Sequence, residues 1–305
     1  MFMNKKNVLV IGSLNMDYVV YVNDFPNHGE TIVGKNRSIQ PGGKGENQAV
    51  ALARSNKVNT SFIGAIGNDN DGKEIKKILK ENKINAHLKV FDDIETGNAT
   101  IVVNSSGENK IIIVAGANGK LSSNDIDLEL IKQCDYVILQ NEISSECNEF
   151  VIRQASKLGK VIVYNPAPYR KFNDDLWQYI DYFIPNKGEL YSYTNIVDPI
   201  KGAKVLLSKG VKNVLVTLGI DGSFFVNNEN LIKVPAFKVN AIDSVAAGDT
   251  YVGYFVSGIA SRLTIKEAMK KASLASSITV SRKGSVNSIP FGDELCSSQN
   301  IKEQK

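Results

Sequence analysis

The sequence predicts an α/β fold: a mostly parallel sheet covered by helices on both faces, with a small β-sheet lid. Three observations point there. Short, continuous apolar runs alternate with segments of helical periodicity along most of the chain. Strands that are apolar throughout are those buried on both faces, as in parallel sheets. Two segments break the alternation with strand-like patterns and turn residues but no helix between them.

The elements follow in order. "NVLVIG" (7–12) reads as the first strand, 45–55 as a helix and 58–67 as a strand. In 72–82, Ile75, Ile78 and Leu79 fall at i, i+3 and i+4, an amphipathic helix. Residues 122–133 carry Ser and Asp near their start, as a helix N-terminus should. A strand (136–140), a helix (146–159) and a strand (160–168) come next, then a strand ending at 182–186. The helix–strand pair 198–210 and 213–219 precedes two closing helices near 248–261 and 264–281. The exceptional segments, 16–41 and 96–118, predict a small antiparallel sheet; in the second, "ATIVV" and "KIIIV" flank the turn "NSSGEN". The expected division is a core of 1–12, 41–95 and 116–305 and a lid of 13–40 and 96–115. The polar tail 297–305 is expected to fray.

Composition narrows the function classes. The 305 residues carry a net charge of +4, with lysines scattered rather than bunched, so no nucleic-acid partner is expected. Cys134, Cys147 and Cys296 lie far apart, which suggests neither a zinc site nor a disulfide framework and fits a cytoplasmic chain. The apolar run before Gly12 is too short for a signal peptide, and no run reaches membrane-spanning length, so no membrane partner is expected.

Polar or Gly-rich residues gather where strands end: "GSLNMD", "LQNEIS", "YNPAP", "IPNKGE" and "TLGIDG". Ligands of parallel α/β sheets bind beyond the carboxyl ends of the strands, so five such clusters predict one shared crevice. "PGGKGENQAVALARS" (41–55) fails the Walker A pattern, because Lys44 is followed by Gly45 and position 38 is Ser. It also fails the dinucleotide fingerprint. What remains is a Gly-rich turn opening a helix, with Asn47 in the first turn able to bond a hydroxyl-rich ligand. In "SVAAGDTYVGYF" (244–255), Val252, Phe255, Val256 and Ile259 form the stripe of a buried helix. The amides of Ala247, Gly248 and Asp249 at its start suit an anion such as phosphate. On position alone Asp249 reads as a helix cap, or as a charge that favours the helix dipole, rather than as a catalytic group.

"GSLNMD", "PGGKGENQAV", "NPAP", "PNKGE", "VTLGIDG" and "DSVAAGDT" occur in the order seen in the ribokinase family of sugar kinases, the phosphofructokinase-B-like superfamily. The resemblance runs from about Val8 to Ser288. It implies ATP-dependent phosphorylation of D-ribose at its 5-hydroxyl, with 2-deoxyribose, a nucleoside or another sugar as the alternative acceptor. Asp249 is similar to the family's catalytic base, and the amides of Ala246, Ala247 and Gly248 resemble its anion hole. The resemblance implies sugar binding by Asn15, Asp17, Gly43, Lys44, Asn47, Glu142 and Asp249. It implies nucleotide binding by Asn186, Thr217, Gly219, Gly222, Gly248 and Ser273. Asn186 and Glu189 match a family motif associated with Mg²⁺ and its waters. Asp243, Val245, Thr279, Arg282, Gly284 and Ser288 match positions around a monovalent cation, K⁺. The lid segments resemble those that pair in a homodimer. Three positions depart from the family pattern: Glu46 where a small residue is usual, Tyr251 in "TYVG", and Ser273 beside the expected adenine.

Overall fold

The computed structural model describes residues 5–297, arranged on two sheets. Strand β1 (Asn7–Ile11) is buried from Val8 onward. The chain leaves it for the second sheet through β2 (Asn15–Tyr21) and β3 (Asn36–Gly42), then returns as α1 (Lys44–Arg54). Next come β4 (Asn59–Gly67), α2 (Asn70–Glu81) and β5 (Asn85–Phe91) on the main sheet. A second excursion makes β6 (Gly97–Val103) and β7 (Asn109–Val114). The main sheet resumes through α3 (Leu128–Gln133), β8 (Tyr136–Gln140), α4 (Ser145–Lys157), β9 (Val161–Asn165) and β10 (Tyr182–Phe183). After α5 (Lys187–Thr194), α6 (Pro199–Ser208) and β11 (Asn213–Thr217), the hairpin β12 (Ser223–Val226) and β13 (Leu231–Val234) ends the sheet. Helices α7 (Ala247–Ala260), α8 (Ile265–Val280) and the short α9 (Gly292–Ser297) follow.

The main sheet has the order β13-β12-β11-β10-β9-β8-β1-β4-β5 and is parallel from β5 to β11. Only β12 is reversed within it, pairing antiparallel with both β11 and β13. Each face has its own core. Val8 and Val10 point into the cluster with α1, α7 and α8, whereas Leu9 and Ile11 point into the cluster with α4 and α6. That alternation on a wholly apolar strand is why "VLVI" carries no polar face. From β1 the chain order runs outward to β4 and β5 on one side and to β8 and beyond on the other. The carboxyl ends of β1 and β8 therefore border a switch point, where α/β sheets leave a crevice.

The second sheet, β3-β2-β6-β7, departs from the antiparallel expectation. Its two hairpins are antiparallel within themselves, but β2 and β6 pair in parallel, Asn15 facing Gly97. Both hairpins leave the core at the same end, so their first strands run the same way. Other boundaries also shift. Asp69 accepts from the Gly72 amide and starts α2 two residues early. The expected helix 122–133 breaks in two, because Ser122 and Asp125 close a capping box before Asp127 caps α3. The strand expected over 160–168 stops at Asn165, and the Ala167–Pro168 peptide is cis. From residue 298 the expected frayed tail lies outside the described residues.

Candidate active site

Two helices bring the chemistry together. Where α1 crosses α7, a Cβ on Gly253 would stand 2.5 Å from the Ala51 Cβ and 2.9 Å from the Gln48 carbonyl, so this glycine permits the close approach. One turn back along each helix, Asn47 Nδ2 donates to Asp249 Oδ2 at 3.1 Å and Gln48 Nε2 donates to Asp249 Oδ1 at 2.9 Å. Asp249 makes no side-chain capping bond, so the cap reading of this acid is corrected: its carboxylate belongs to the crevice. The start of α1 is fixed to the end of β1 by the same device. Gly43 has φ 91°, and a Cβ on Gly45 would meet the Ser13 amide nitrogen at 2.6 Å.

Asn15, Asp17, Gly43, Lys44, Asn47, Glu142 and Asp249 line one cavity of about 510 Å³, walled on the second sheet by Ala99, Ile101, Ile111 and Ile113. All seven residues expected to hold the sugar thus come together. Glu142 Oε2 accepts from Ser13 Oγ at 2.5 Å and from the Lys44 amide at 3.0 Å. Asn15 Oδ1 accepts from Asn118 Nδ2 at 2.8 Å, and Asn118 also clasps the Leu14 amide and carbonyl. Burial, then the charges of Glu142 and Asp249, push the Asp17 carboxyl up to about 7. Burial likewise raises Asp249, partly offset by Lys44 and the Gln48 and Asn47 donors. Burial acts to lower the Lys44 ammonium, but Asp249, Glu142, Glu189 and Asp17 outweigh it and hold its pKa above the ordinary value. One lysine thus faces four carboxylates, a site that favours donors such as hydroxyls.

A second cavity of about 550 Å³ adjoins the first and shares Asn186, Thr217, Ser244 and Gly248 with it. Asn186, Thr217, Gly219, Gly222, Gly248 and Ser273, the residues expected to hold the nucleotide, all line it, with an apolar wall from Ala236, Phe237, Val239, Ala241 and Tyr251. Ser273 gives only a long 3.4 Å hydrogen bond to the Pro235 carbonyl, and Tyr251 bonds Ser223 at 2.7 Å. Between the cavities α7 begins. Its first flanking residue, Ala246, holds φ 60°, and the helical Ala247 follows. A left-handed residue followed by a right-handed one turns successive amides into one concavity, an anion-binding nest. The Ala247 amide makes a long 3.3 Å bond to the Ser244 carbonyl. A Cβ on Gly248 would find nothing within 4 Å, so the space above these amides is open.

The positions expected around metals lie apart from one another in character. Asn186 and Glu189 form a reciprocal capping box at the start of α5, at 2.8 and 2.9 Å. Burial raises the Glu189 carboxyl against the Asn186 amide and Lys44. Asp243 ties two loops together, accepting from the Val245 and Gly284 amides at 3.0 Å each. The Arg282 guanidinium pairs with Glu294, and the Thr279 and Ser288 hydroxyls are fully buried and donate to main-chain or neighbouring oxygens. Among the described residues, no three His, Cys, Asp or Glu side chains gather as metal ligands. Glu46, the departure in the glycine loop, is wholly buried without a hydrogen-bond partner among the described residues, and burial pushes its carboxyl far up. It lies near Asp17 and does not line the cavity.

Sequence reasoning missed Gln48, Asn165, Asn118 and the apolar walls. Asn165 sits in the quoted strand-end cluster "YNPAP" and could have been found there; Gln48 has no signal beyond its place beside Asn47.

Two adjoining cavities over one buried carboxylate, at the switch point of an α/β sheet, define a two-substrate enzyme. Residues 5–291 match the family model described as pfkB family carbohydrate kinase, and the chain belongs to that family. It is 37% identical over 295 residues to a ribokinase of Lactococcus lactis, covering 94% of this chain and 95% of that one. A deoxyribokinase of Salmonella typhi is 34% identical, with 93% and 95% covered. Among solved structures, an Arabidopsis thaliana ribokinase complexed with ribose and ATP has a TM-score of 0.88 at 30% identity, covering 96% and 98% of the two chains.

Proposed function

We propose that this kinase transfers the γ-phosphoryl group of ATP to the 5-hydroxyl of D-ribose. The observation that carries the reading is that the two cavities meet at Gly248, next to Asp249, which lines the polar one. The sugar occupies the polar cavity, where Asn15, Asp17, Lys44, Asn47 and Glu142 pair with its hydroxyls. ATP occupies the apolar one, with its γ-phosphate at the nest of Ala246, Ala247 and Gly248. Asp249 takes the proton from the 5-hydroxyl as the oxygen attacks phosphorus, and the nest amides meet the charge on the transferring group. The second sheet covers the sugar and excludes water, which suppresses ATP hydrolysis.

Glu189 fits an Mg²⁺ held through water: one carboxylate oxygen is spent on capping, and the group borders the cavity. Bound there, Mg²⁺ neutralises charge on the ATP phosphates. K⁺ would be held by Asp243, Val245, Thr279, Arg282, Gly284 and Ser288 chiefly through main-chain carbonyls, hard oxygens suited to that ion. The Asp243 clasp holds two of the contributing loops in place. Strand β7 supports a homodimer through the lid: it is an edge strand, with Ile112 66% and Ile111 52% exposed. No helix among the described residues is long and apolar enough to cross a membrane.

The relative that is a deoxyribokinase supports 2-deoxyribose as the second reading. A coupled ADP-release assay over ribose, 2-deoxyribose, fructose and adenosine, with and without K⁺, separates them. Preference for ribose is expected. Preference for adenosine overturns the sugar assignment, and indifference to K⁺ removes the cation site.

A further inference from the structure

We infer that Gln48 is a positioning residue for the base, held in turn by Gln140, and that this buried amide relay keeps Asp249 ionised and aimed. The inference rests on the reading of Asp249 as the base. Gln48 is wholly buried, and its amide makes three side-chain hydrogen bonds. Its Nε2 donates to Asp249 Oδ1 and to Asn165 Oδ1, both at 2.9 Å, and its Oε1 accepts from Gln140 Nε2 at 2.8 Å.

The direction of the relay follows from chemistry. An ionised carboxylate only accepts, so Gln48 must turn its NH₂ to Asp249 and its oxygen to Gln140. Gln140 must then turn its own NH₂ inward. Its Oε1 is left buried without a partner among the described residues. That oxygen points at the end of β1, where a Cβ on Gly12 would stand 2.0 Å from it. Gly12 thereby makes the room that Gln140 occupies. Asn165 completes the frame, because its Nδ2 is spent on the Ile184 carbonyl at 2.7 Å and its oxygen can only accept from Gln48. A buried acceptor left unsatisfied at the far end is tolerated in order to keep a donor on the base. Neither glutamine lines either cavity, so neither touches a ligand held there.

The test compares Gln48→Met, Gln140→Met and Asp249→Asn in the full chain by steady-state kinetics across pH. In Gln48→Met, losing a donor to the charged form moves the acidic limb of kcat up by about one pH unit and lowers kcat at pH 7 about tenfold or more. KM for sugar and for ATP stays within about threefold, since ligand contacts are intact. Gln140→Met moves the limb the same way by a smaller amount, and it carries the test alone if Gln48→Met does not fold. In the Asp249→Asn background, Gln48→Met costs less than about twofold further, because the two act as one unit. An unchanged acidic limb in the folded variants, with Asp249→Asn inactive, overturns the relay and leaves the base. Parent-like activity in Asp249→Asn overturns the base reading itself.

Discussion

The two cavities hold similar volumes and share four residues, yet they are built from different material. The sugar-side cavity is made of side chains: Asp17, Glu142, Asp249 and Lys44 supply charge, and Asn15 and Asn47 supply amides. The nucleotide-side cavity is made of glycines, a main-chain nest and an apolar loop running past Ala236, Phe237 and Val239. A ligand recognised by hydroxyl position needs fixed polar side chains, and a missing hydroxyl leaves them unpaired. A ligand held by phosphates and a flat ring needs amides and an apolar slot. Side-chain substitution should therefore strike the first cavity hard and the second lightly, while added bulk should do the reverse.

Apart from changes to the base, the largest effect is expected at Asp17. Asp17→Asn removes a buried acceptor, and KM for sugar should rise about 100-fold or more, with KM for ATP unchanged, in steady-state assays. The same change should stabilise the empty protein. Between the ordinary aspartate value of 3.8 and about 7, the folded chain keeps a proton on Asp17 that the unfolded chain has lost. Stability therefore falls as pH rises through that window and the penalty is complete above it. At pH 8 the variant should gain roughly 2–4 kcal/mol in denaturant unfolding. Loss of stability on this substitution would show that Asp17 is not a strained, function-bearing acid.

The pH dependence of binding comes next. In the proposed complex sugar hydroxyls donate to the ionised Asp17, so binding below its pKa of about 7 must first expel a proton. Calorimetry should find the sugar bound about tenfold more weakly at pH 6 than at pH 8, with proton release on binding. ATP binding should lack this term.

Glycines sharpen the contrast from the other side. A Cβ on Gly248 meets no atom of the protein, so Gly248→Ala should leave thermal unfolding unchanged. It should raise KM for ATP about tenfold, ~1.4 kcal/mol, by crowding the nest. Gly222 differs: it has φ 87°, and a Cβ would lie 2.2 Å from the Val234 carbonyl, so Gly222→Ala should cost roughly 2–4 kcal/mol of stability. The smallest effect belongs to Ser273, whose hydroxyl makes only the long bond to Pro235. Ser273→Ala should change KM for ATP less than about twofold.

The same difference governs what could be read before folding. The strands of the buried sheet are continuous apolar runs, so 7–12, 136–140 and 213–219 were legible. Strand β5 was not, because "NAHLKVF" sits at the sheet edge with most residues exposed and no apolar face to betray it. The sugar-side residues lie in quotable motifs because each needs a particular functional group. Phe237 and Val239 are ordinary loop residues until α8, through Ser273, Ser276, Ser277 and Val280, and the turn at Gly219 and Gly222 close a cavity with them. Gln48 was hidden for another reason: on a helix its direction is set by the Gly253 crossing, a contact about 200 residues away in the chain. Parallel pairing of β2 with β6 was likewise invisible, since each hairpin satisfies its local pattern in either arrangement.

We propose that Asp249 serves chemistry where the two cavities meet. Single-turnover phosphoryl transfer by Asp249→Asn, measured beside calorimetric titrations of sugar and ATP, tests it most directly. The account predicts a fall in the transfer rate of about 10³-fold or more, with both ligands bound within about threefold of the parent. Transfer within about tenfold of the parent, under the same occupancy, would contradict it.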